Sequence, residues 1–269
     1  METPDPWAHL RGYTAARIAL GRTGGSQTTG PLLDFRLSHA RAKDAVHFPF
    51  DSGELAATLR GHGHEVMELE SHAPDRASYL RRPDWGRKLS EASRHALSDI
   101  ARDRGPDLVI MVSDGLSSLA AMEQSVPLLN TLLPLLEDDG WRLSPLLIVR
   151  HARVAIQDEV GGILSATLGL ILLGERPGLG APNSLGAYFT HTPMPGKTDA
   201  ARNCVSNIRP QGLPPEQAAR KLYTLLSASR QLGLSGVGLK DDAPTLATSS
   251  AEKPPLPRRV PHSNFDVQC

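Results

Sequence analysis

Short apolar runs alternate along this chain with segments of helical period. Leu108-Val109-Ile110-Met111-Val112, within Asp107–Gly115, is unbroken and closes on a polar Ser113-Asp114-Gly115 turn, the pattern of a strand buried on both faces. Gly169-Leu170-Ile171-Leu172-Leu173-Gly174 repeats it, and Pro177, which cannot donate to a ladder, predicts the strand's end. Leu143–Val149 and Leu185–Thr190 read as further strands, and Glu65-Val66-Met67-Glu68-Leu69 alternates as a half-exposed strand does. Between these lie helical patterns. One opens at Gly30-Pro31 and runs to about Val46, with Leu33, Leu37 and Ala40 spaced for one face. A short helix is expected near Ala77–Arg81, ended by Pro83, and another from Glu91 to Arg102, capped by Ser90. A helical region starts at Leu119, and Pro127 and Pro134 predict interruptions in it. Gln157–Leu164 reads as a short helix or turn. Pro214-Pro215 opens a last helix with Ala218, Ala219, Leu222, Leu225, Leu226 and Leu232 in helical register.

Strands alternating with helices predict an α/β fold with a mainly parallel sheet flanked by helices. Residues 1–15 are punctuated by prolines and read as a loose arm, while 241–269 lack any core pattern and read as a disordered tail. The expected organisation is an N-terminal arm and helical segment over 1–64, an α/β domain over 65–240, and the tail over 241–269. Asp199–Arg209 is a polar run without a clean period.

Composition narrows the class. Lys+Arg and Asp+Glu both total 29, which argues against a protein built to neutralise phosphates on nucleic acid. Aromatics make up only 4% of the chain, too few for a base-stacking platform. No apolar run approaches the ~20 residues of a membrane span, the first residues show no signal pattern, and two cysteines make no disulfide framework. A cytoplasmic protein is the expectation.

Candidate chemistry is sparse. Ala16–Ser26 has the glycines and hydroxyls of a phosphate loop but lacks the Gly-Lys-Ser/Thr ending, so a structural turn or backbone nest is the stronger reading. A stand-alone nucleotide-binding α/β enzyme using Gly21–Ser26 is the rival function. His62-Gly63-His64 lacks a third nearby ligand, and Ser113-Asp114-Gly115 is no nucleophile elbow. Glu175 and Arg176 stand at the carboxyl end of a buried strand, where open α/β sheets place ligands. A solvated turn with a surface ion pair fits them equally well on local sequence. Chemistry without a self-sufficient catalytic set suggests a binding domain, or a subunit completing a site carried elsewhere.

Several phrases in consistent order carry a resemblance: Thr14–Gly24, Asp44-Ala45-Val46-His47, Ala73–Asp84, Leu173-Gly174-Glu175-Arg176-Pro177-Gly178-Leu179 with Ser184–Tyr188, and Arg202–Arg209. Over about residues 10–240 the chain resembles the small (light, or β) subunit of ethanolamine ammonia-lyase. The resemblance implies a Rossmann-like domain. It also implies an adenosylcobalamin-dependent enzyme converting ethanolamine to acetaldehyde and ammonia by radical chemistry. A large subunit with a (β/α)8 barrel would hold the substrate and most catalytic groups, with cobalamin enclosed between the two. Carried over by residue, it implies Val154, Glu175 and Cys204 as cobalamin contacts, binding positions rather than acid–base catalysts. No Asp-x-His-x-x-Gly phrase occurs, in keeping with base-on cobalamin. Assembly as hexamers of heterodimers, sometimes inside a protein microcompartment, is a further implication.

Overall fold

The computed structural model describes residues 5–14, 16–22, 24–101 and 104–240. The expected tail at 241–269 lies outside the described residues, as do Arg102 at the end of one expected helix and the first four residues of the arm. Of the described residues, 29–240 belong to one compact unit and those before Thr29 to another.

In the N-terminal unit, Ala8–Tyr13 is a 3-10 helix. The phosphate-loop-like stretch after it is tied to its own surroundings. Arg11 donates to the carbonyls of Ile18 and Ala19, and the Gly21 N–H points to the Asp5 carboxylate at 3.4 Å. Ala19 and Gly21 take positive φ, 52° and 71°. A carboxylate thus stands where a phosphate would have to approach, as a structural turn requires.

The compact unit runs α1 (Thr29–His47), α2 (Ser52–Gly61), β1 (Val66–Glu70), α3 (Arg76–Arg81), α4 (Glu91–Asp99), β2 (Leu108–Ser113), α5 (Ser118–Asp138), β3 (Leu146–Arg150), α6 (Ile156–Ile163), β4 (Leu168–Gly174), β5 (Leu185–His191), β6 (Arg202–Ile208) and α7 (Pro215–Leu232). Six strands form one sheet in the order β1-β3-β2-β4-β5-β6. The first four are parallel to their neighbours, and β5 and β6 join antiparallel. The expected α/β class and mainly parallel sheet are present. With β3 inserted between β1 and β2, the order departs from the 3-2-1-4-5-6 of the doubly wound dinucleotide fold.

Successive side chains of a strand point to opposite faces, so the two uninterrupted runs feed two cores. Ile110, Val112, Leu170 and Leu172 pack on one face with residues of α2, α5 and α7. Val109, Met111, Ile171 and Leu173 pack on the other with residues of α4 and α6. Ser90 caps α4 through the Ser93 N–H at 3.2 Å, and Asp75 caps α3 through the Ser78 N–H at 2.8 Å.

Pro127 and Pro134 do not interrupt the helix that contains them; α5 continues through both. An interior proline costs about 3 kcal/mol. Against that, α5 buries Leu128, Leu129, Leu132, Leu133 and Leu136, and a fully buried leucine contributes about 1.5–3 kcal/mol. Packing wins. On α1, Leu33 and Leu37 are exposed, at 57% and 49%, rather than on a buried face; Ser38 and Ala45 are its buried residues. Two elements escape the sequence reading: α2, capped by Asp51 through the Glu54 N–H at 2.8 Å, and β6, the polar run.

Asp107 fixes where β2 begins. Its carboxylate takes the Arg142 N–H at 3.0 Å and the Arg142 guanidinium at 2.5 Å, while its own N–H donates to the Arg142 carbonyl at 2.8 Å. Desolvation raises the Asp107 pKa, but these hydrogen bonds and the arginine charge overcome it and hold the carboxyl below its ordinary value. A folded-state pKa below the unfolded one contributes stability above the unfolded value, near 3.9, which is lost as pH falls through the folded value. Asp107→Asn is therefore expected to lower stability at neutral pH and to flatten the acid limb of a denaturation-versus-pH profile. An unaltered acid limb would remove Asp107 from that role.

A turn packs beside the start of β6. The Asn203 side chain accepts the Gly236 N–H at 2.6 Å and donates to the Gly236 carbonyl at 3.2 Å, which holds the turn at Gly236–Gly238 against that strand.

Candidate functional site

The chain leaves β2 for β3 on one side, then returns past β2 to reach β4. The helix after β2 covers one face of the sheet and the helix after β3 the other, which opens a crevice at the carboxyl ends of these strands. A cleft of about 380 Å³ lies there, lined by Gly115 and Leu116 after β2, Ala152, Arg153 and Val154 after β3, Leu173 to Arg176 after β4, and Tyr79 and Tyr188.

The cleft's walls are held by backbone proximity. A Cβ placed on Gly174 would lie 1.9 Å from the Ser117 carbonyl oxygen, and one on Gly115, whose φ is 53°, would lie 2.3 Å from the Gly174 oxygen. The Leu116 N–H donates to that Gly174 oxygen at 2.8 Å. Only glycines let the ends of β2 and β4 approach this closely.

Asp114, read in the sequence only as part of a polar turn, is a buried hub. One carboxylate oxygen accepts Arg76 at 2.7 Å, and the other accepts the His151 N–H at 2.7 Å and the Ser113 hydroxyl at 3.0 Å. Arg76 also donates to the Gly115 and Val46 carbonyls. His151 adopts φ 58°, a left-handed conformation costly for a residue with a Cβ. Three contacts impose it: its N–H on Asp114, its ring nitrogen at 3.2 Å from the Ala73 carbonyl, and its carbonyl accepting Ser71 at 2.8 Å. This bend directs Arg153 and Val154 into the cleft.

Glu175 follows β4 directly. Its Oε2 accepts the Ser184 hydroxyl at 2.5 Å and the Asn207 N–H at 3.3 Å. Its Oε1 accepts no protein hydrogen bond among the described residues and lies near the Cα of Gly186, where Tyr188 also approaches. Tyr188 pairs across the ladder with Cys204 on β6. Burial pushes the Tyr188 hydroxyl above its ordinary pKa, with the Cys204 and Glu175 charges adding to the rise. Although Cys204 keeps contact with solvent, the atoms packed around its sulfur desolvate it and raise the thiol pKa. Tyr188 opposes that rise through a hydrogen bond and Glu175 adds to it. The thiol is thus kept protonated, unsuited to a nucleophile.

Of the residues singled out in the sequence, Val154 and Glu175 line one cleft although 21 positions separate them. Cys204 stands one strand beyond, reached through Tyr188. Arg176 is at the cleft and exposed. Tyr79, Tyr188, Arg153 and the Asp114–Arg76 pair were not legible as site residues. Tyr79 and Arg76 lie within the phrase Ala73–Asp84, but their partners are far along the chain. Among the described residues no helix is long and apolar enough to cross a membrane.

Sequence comparison places this architecture. The chain is 48% identical over 259 residues to the ethanolamine ammonia-lyase small subunit of Pseudomonas fluorescens strain SBW25, covering 95% of this chain and 93% of the relative. It is 50% identical over 244 residues to that of Pseudomonas putida strain GB-1, with 90% of each covered. It is 49% identical over 243 residues to that of Azotobacter vinelandii strain DJ, again with 90% of each covered. The profile of the ethanolamine ammonia-lyase light chain family matches residues 4–240, and the chain belongs to that family.

Proposed function

We propose that this chain is the small subunit of an adenosylcobalamin-dependent ethanolamine ammonia-lyase, and that its strand-end cleft holds one edge of the cobalamin against a large subunit. The observation that carries the reading is the meeting of Val154 and Glu175 in one cleft at the sheet's carboxyl end, with Cys204 adjoining through Tyr188. A cleft of about 380 Å³ is too small to enclose a corrin with its side chains, as expected of a site completed by a partner. Its lining suits such a ligand. Leu116, Ala152, Val154 and Leu173 offer an apolar floor to the ring, and the unengaged Oε1 of Glu175 can accept N–H groups of the corrin's amide side chains.

Adenosylcobalamin, when bound, supplies the radical that starts the conversion of ethanolamine to acetaldehyde and ammonia. This chain's residues orient and shield. Ser184 and Asn207 fix the Glu175 carboxylate, and Val154 supplies a main-chain or apolar contact. Protonated Cys204 adds a polarizable one. Ethanolamine and the groups that act on it belong to the large subunit. Packaging in a microcompartment is part of the same reading.

Co-expression with the large subunit is expected to give ethanolamine deamination that requires adenosylcobalamin, and the isolated chain is expected to give none; full activity from it alone would overturn the proposal. In the assembled enzyme, Glu175→Ala with Cys204→Ala should weaken cobalamin binding. A lost hydrogen bond to a charged group corresponds to about 1.5–3 kcal/mol, roughly ten- to a hundredfold in Kd. Unchanged affinity in the double variant would remove both residues from the site. A rival nucleotide site at Gly21–Ser26 is disfavoured by Asp5 facing the Gly21 N–H, and calorimetry with nucleotides on the isolated chain tests it.

A further inference from the structure

We propose that Arg153 is a further cofactor-holding residue of this cleft, donating hydrogen bonds to acceptor oxygens on the periphery of the cobalamin; the inference rests on the cobalamin reading of the cleft.

Among the described residues Arg153 has no carboxylate partner. Asp114 is held by Arg76, and Glu175, which lines the same cleft with its Oε2 on Ser184 and Asn207, makes no ion pair with Arg153 among the described residues. Among the described residues its guanidinium makes one protein hydrogen bond, from Nη2 to the Tyr79 carbonyl at 3.1 Å, and its Nε is buried without a partner. A half-buried guanidinium carries five donors and calls for acceptors. Here most of that capacity is unspent, in a residue that lines the cleft.

The side chain is also built into place. Its guanidinium lies over the Tyr79 ring, 4.1 Å from the centroid, and the Tyr79 hydroxyl is anchored on the Ala152 carbonyl at 3.2 Å. Its stem crosses Gly86, where a Cβ would come within 2.8 Å of the Arg153 Cγ, and the Arg153 N–H donates to the Gly86 carbonyl at 2.7 Å. Stacking on an aromatic face and a fixed planar fork suit an arginine that recognises planar acceptor groups. Arg176 shares the cleft but is exposed, so water already serves its donors.

Cobalamin offers acceptor oxygens from two sources, the phosphodiester of its nucleotide loop and the carbonyls of its corrin amides. The test uses the complex with the large subunit, purified without cofactor and titrated by absorbance with hydroxocobalamin and, separately, with cobinamide, which lacks the nucleotide loop. Arg153→Gln is expected to raise the hydroxocobalamin Kd by about tenfold or more, as loss of a charge-assisted hydrogen bond would, with the melting temperature of the unloaded complex little changed. A loss confined to hydroxocobalamin identifies the phosphodiester, and an equal loss on cobinamide identifies amide carbonyls. Gly86→Ala, whose methyl would meet both the Arg153 Cγ and the His151 carbonyl oxygen, at 2.8 and 2.9 Å, keeps the charge and should weaken binding in the same direction. Should Arg153→Gln fail to assemble, Arg153→Lys decides, because an ammonium keeps the charge without the fork. Wild-type affinity in the assembled variant overturns the inference. Failure of the wild-type complex to bind either corrinoid would instead strike the cobalamin reading itself.

Discussion

Asp158→Ala is expected to lower the melting temperature of the chain by roughly 6–20 °C, from a loss of about 3–5 kcal/mol. Asp158 lies on α6 and Arg202 opens β6; their side chains are 5% and 4% exposed. The pair is bidentate, at 2.6 and 2.8 Å, and Arg202 also donates to Thr190 at 3.1 Å. Two charges so withdrawn from water satisfy each other, and removing Asp158 leaves the buried Arg202 only the exposed Asp199, 3.6 Å away, as a counter-ion. The same argument predicts that the pair itself is replaceable. Asp158→Leu combined with Arg202→Met should recover much of the stability, since apolar groups of similar bulk avoid the desolvation cost. Thermal denaturation of the three variants checks both statements. If the single change had no more effect than breaking the exposed Arg82–Asp84 pair, the ion pair would not be what secures α6. Because α6 begins two residues after Val154, the single variant should also weaken cobalamin binding in the complex.

The second large effect is expected at Gly174. Its missing side chain is what allows β4 to end against the turn after β2, with the Ser117 and Asp114 carbonyl oxygens 1.9 and 2.6 Å from a notional Cβ. Both are backbone atoms, so no rotamer change relieves the contact. Overpacking by one methyl costs 1–3 kcal/mol where side chains can yield, and here they cannot. Gly174→Ala is therefore expected to lose about 3 kcal/mol or more, or roughly 6–12 °C in melting temperature. It should disable the cleft even where the chain still folds. Gly180→Ala is the matched control, since nothing lies within 4 Å of a Cβ there, and it should be neutral or slightly stabilising. Equal melting temperatures for the two variants would show that the strand ends can separate freely.

What was legible in the sequence follows from how each element is buried. β2 and β4 are covered on both faces, so every residue between their ends is apolar and the run declares itself. β6 is an edge strand with buried residues only at Val205 and Ile208, which leaves no alternation to detect. α2 was within reach, since Asp51 precedes it and Leu55, Ala56 and Leu59 keep helical spacing. The prolines of α5 misled because local propensity carries no knowledge of the leucines packed around them. In the site, Glu175 could be placed because Pro177 marks the end of its strand. Arg153 and Tyr79 could not, being 74 positions apart, and no local pattern announces a contact of that span.

At the far edge of the sheet, Asn203 has a consequence for how copies of this chain meet. A strand edge is a template on which another chain can grow by one more rung, and β6 would be such a template. With its side-chain amide on the backbone of Gly236, Asn203 pins a turn beside the start of β6, and a turn offers no further rung. A strand adding to this edge would therefore have to displace that turn or begin beyond it.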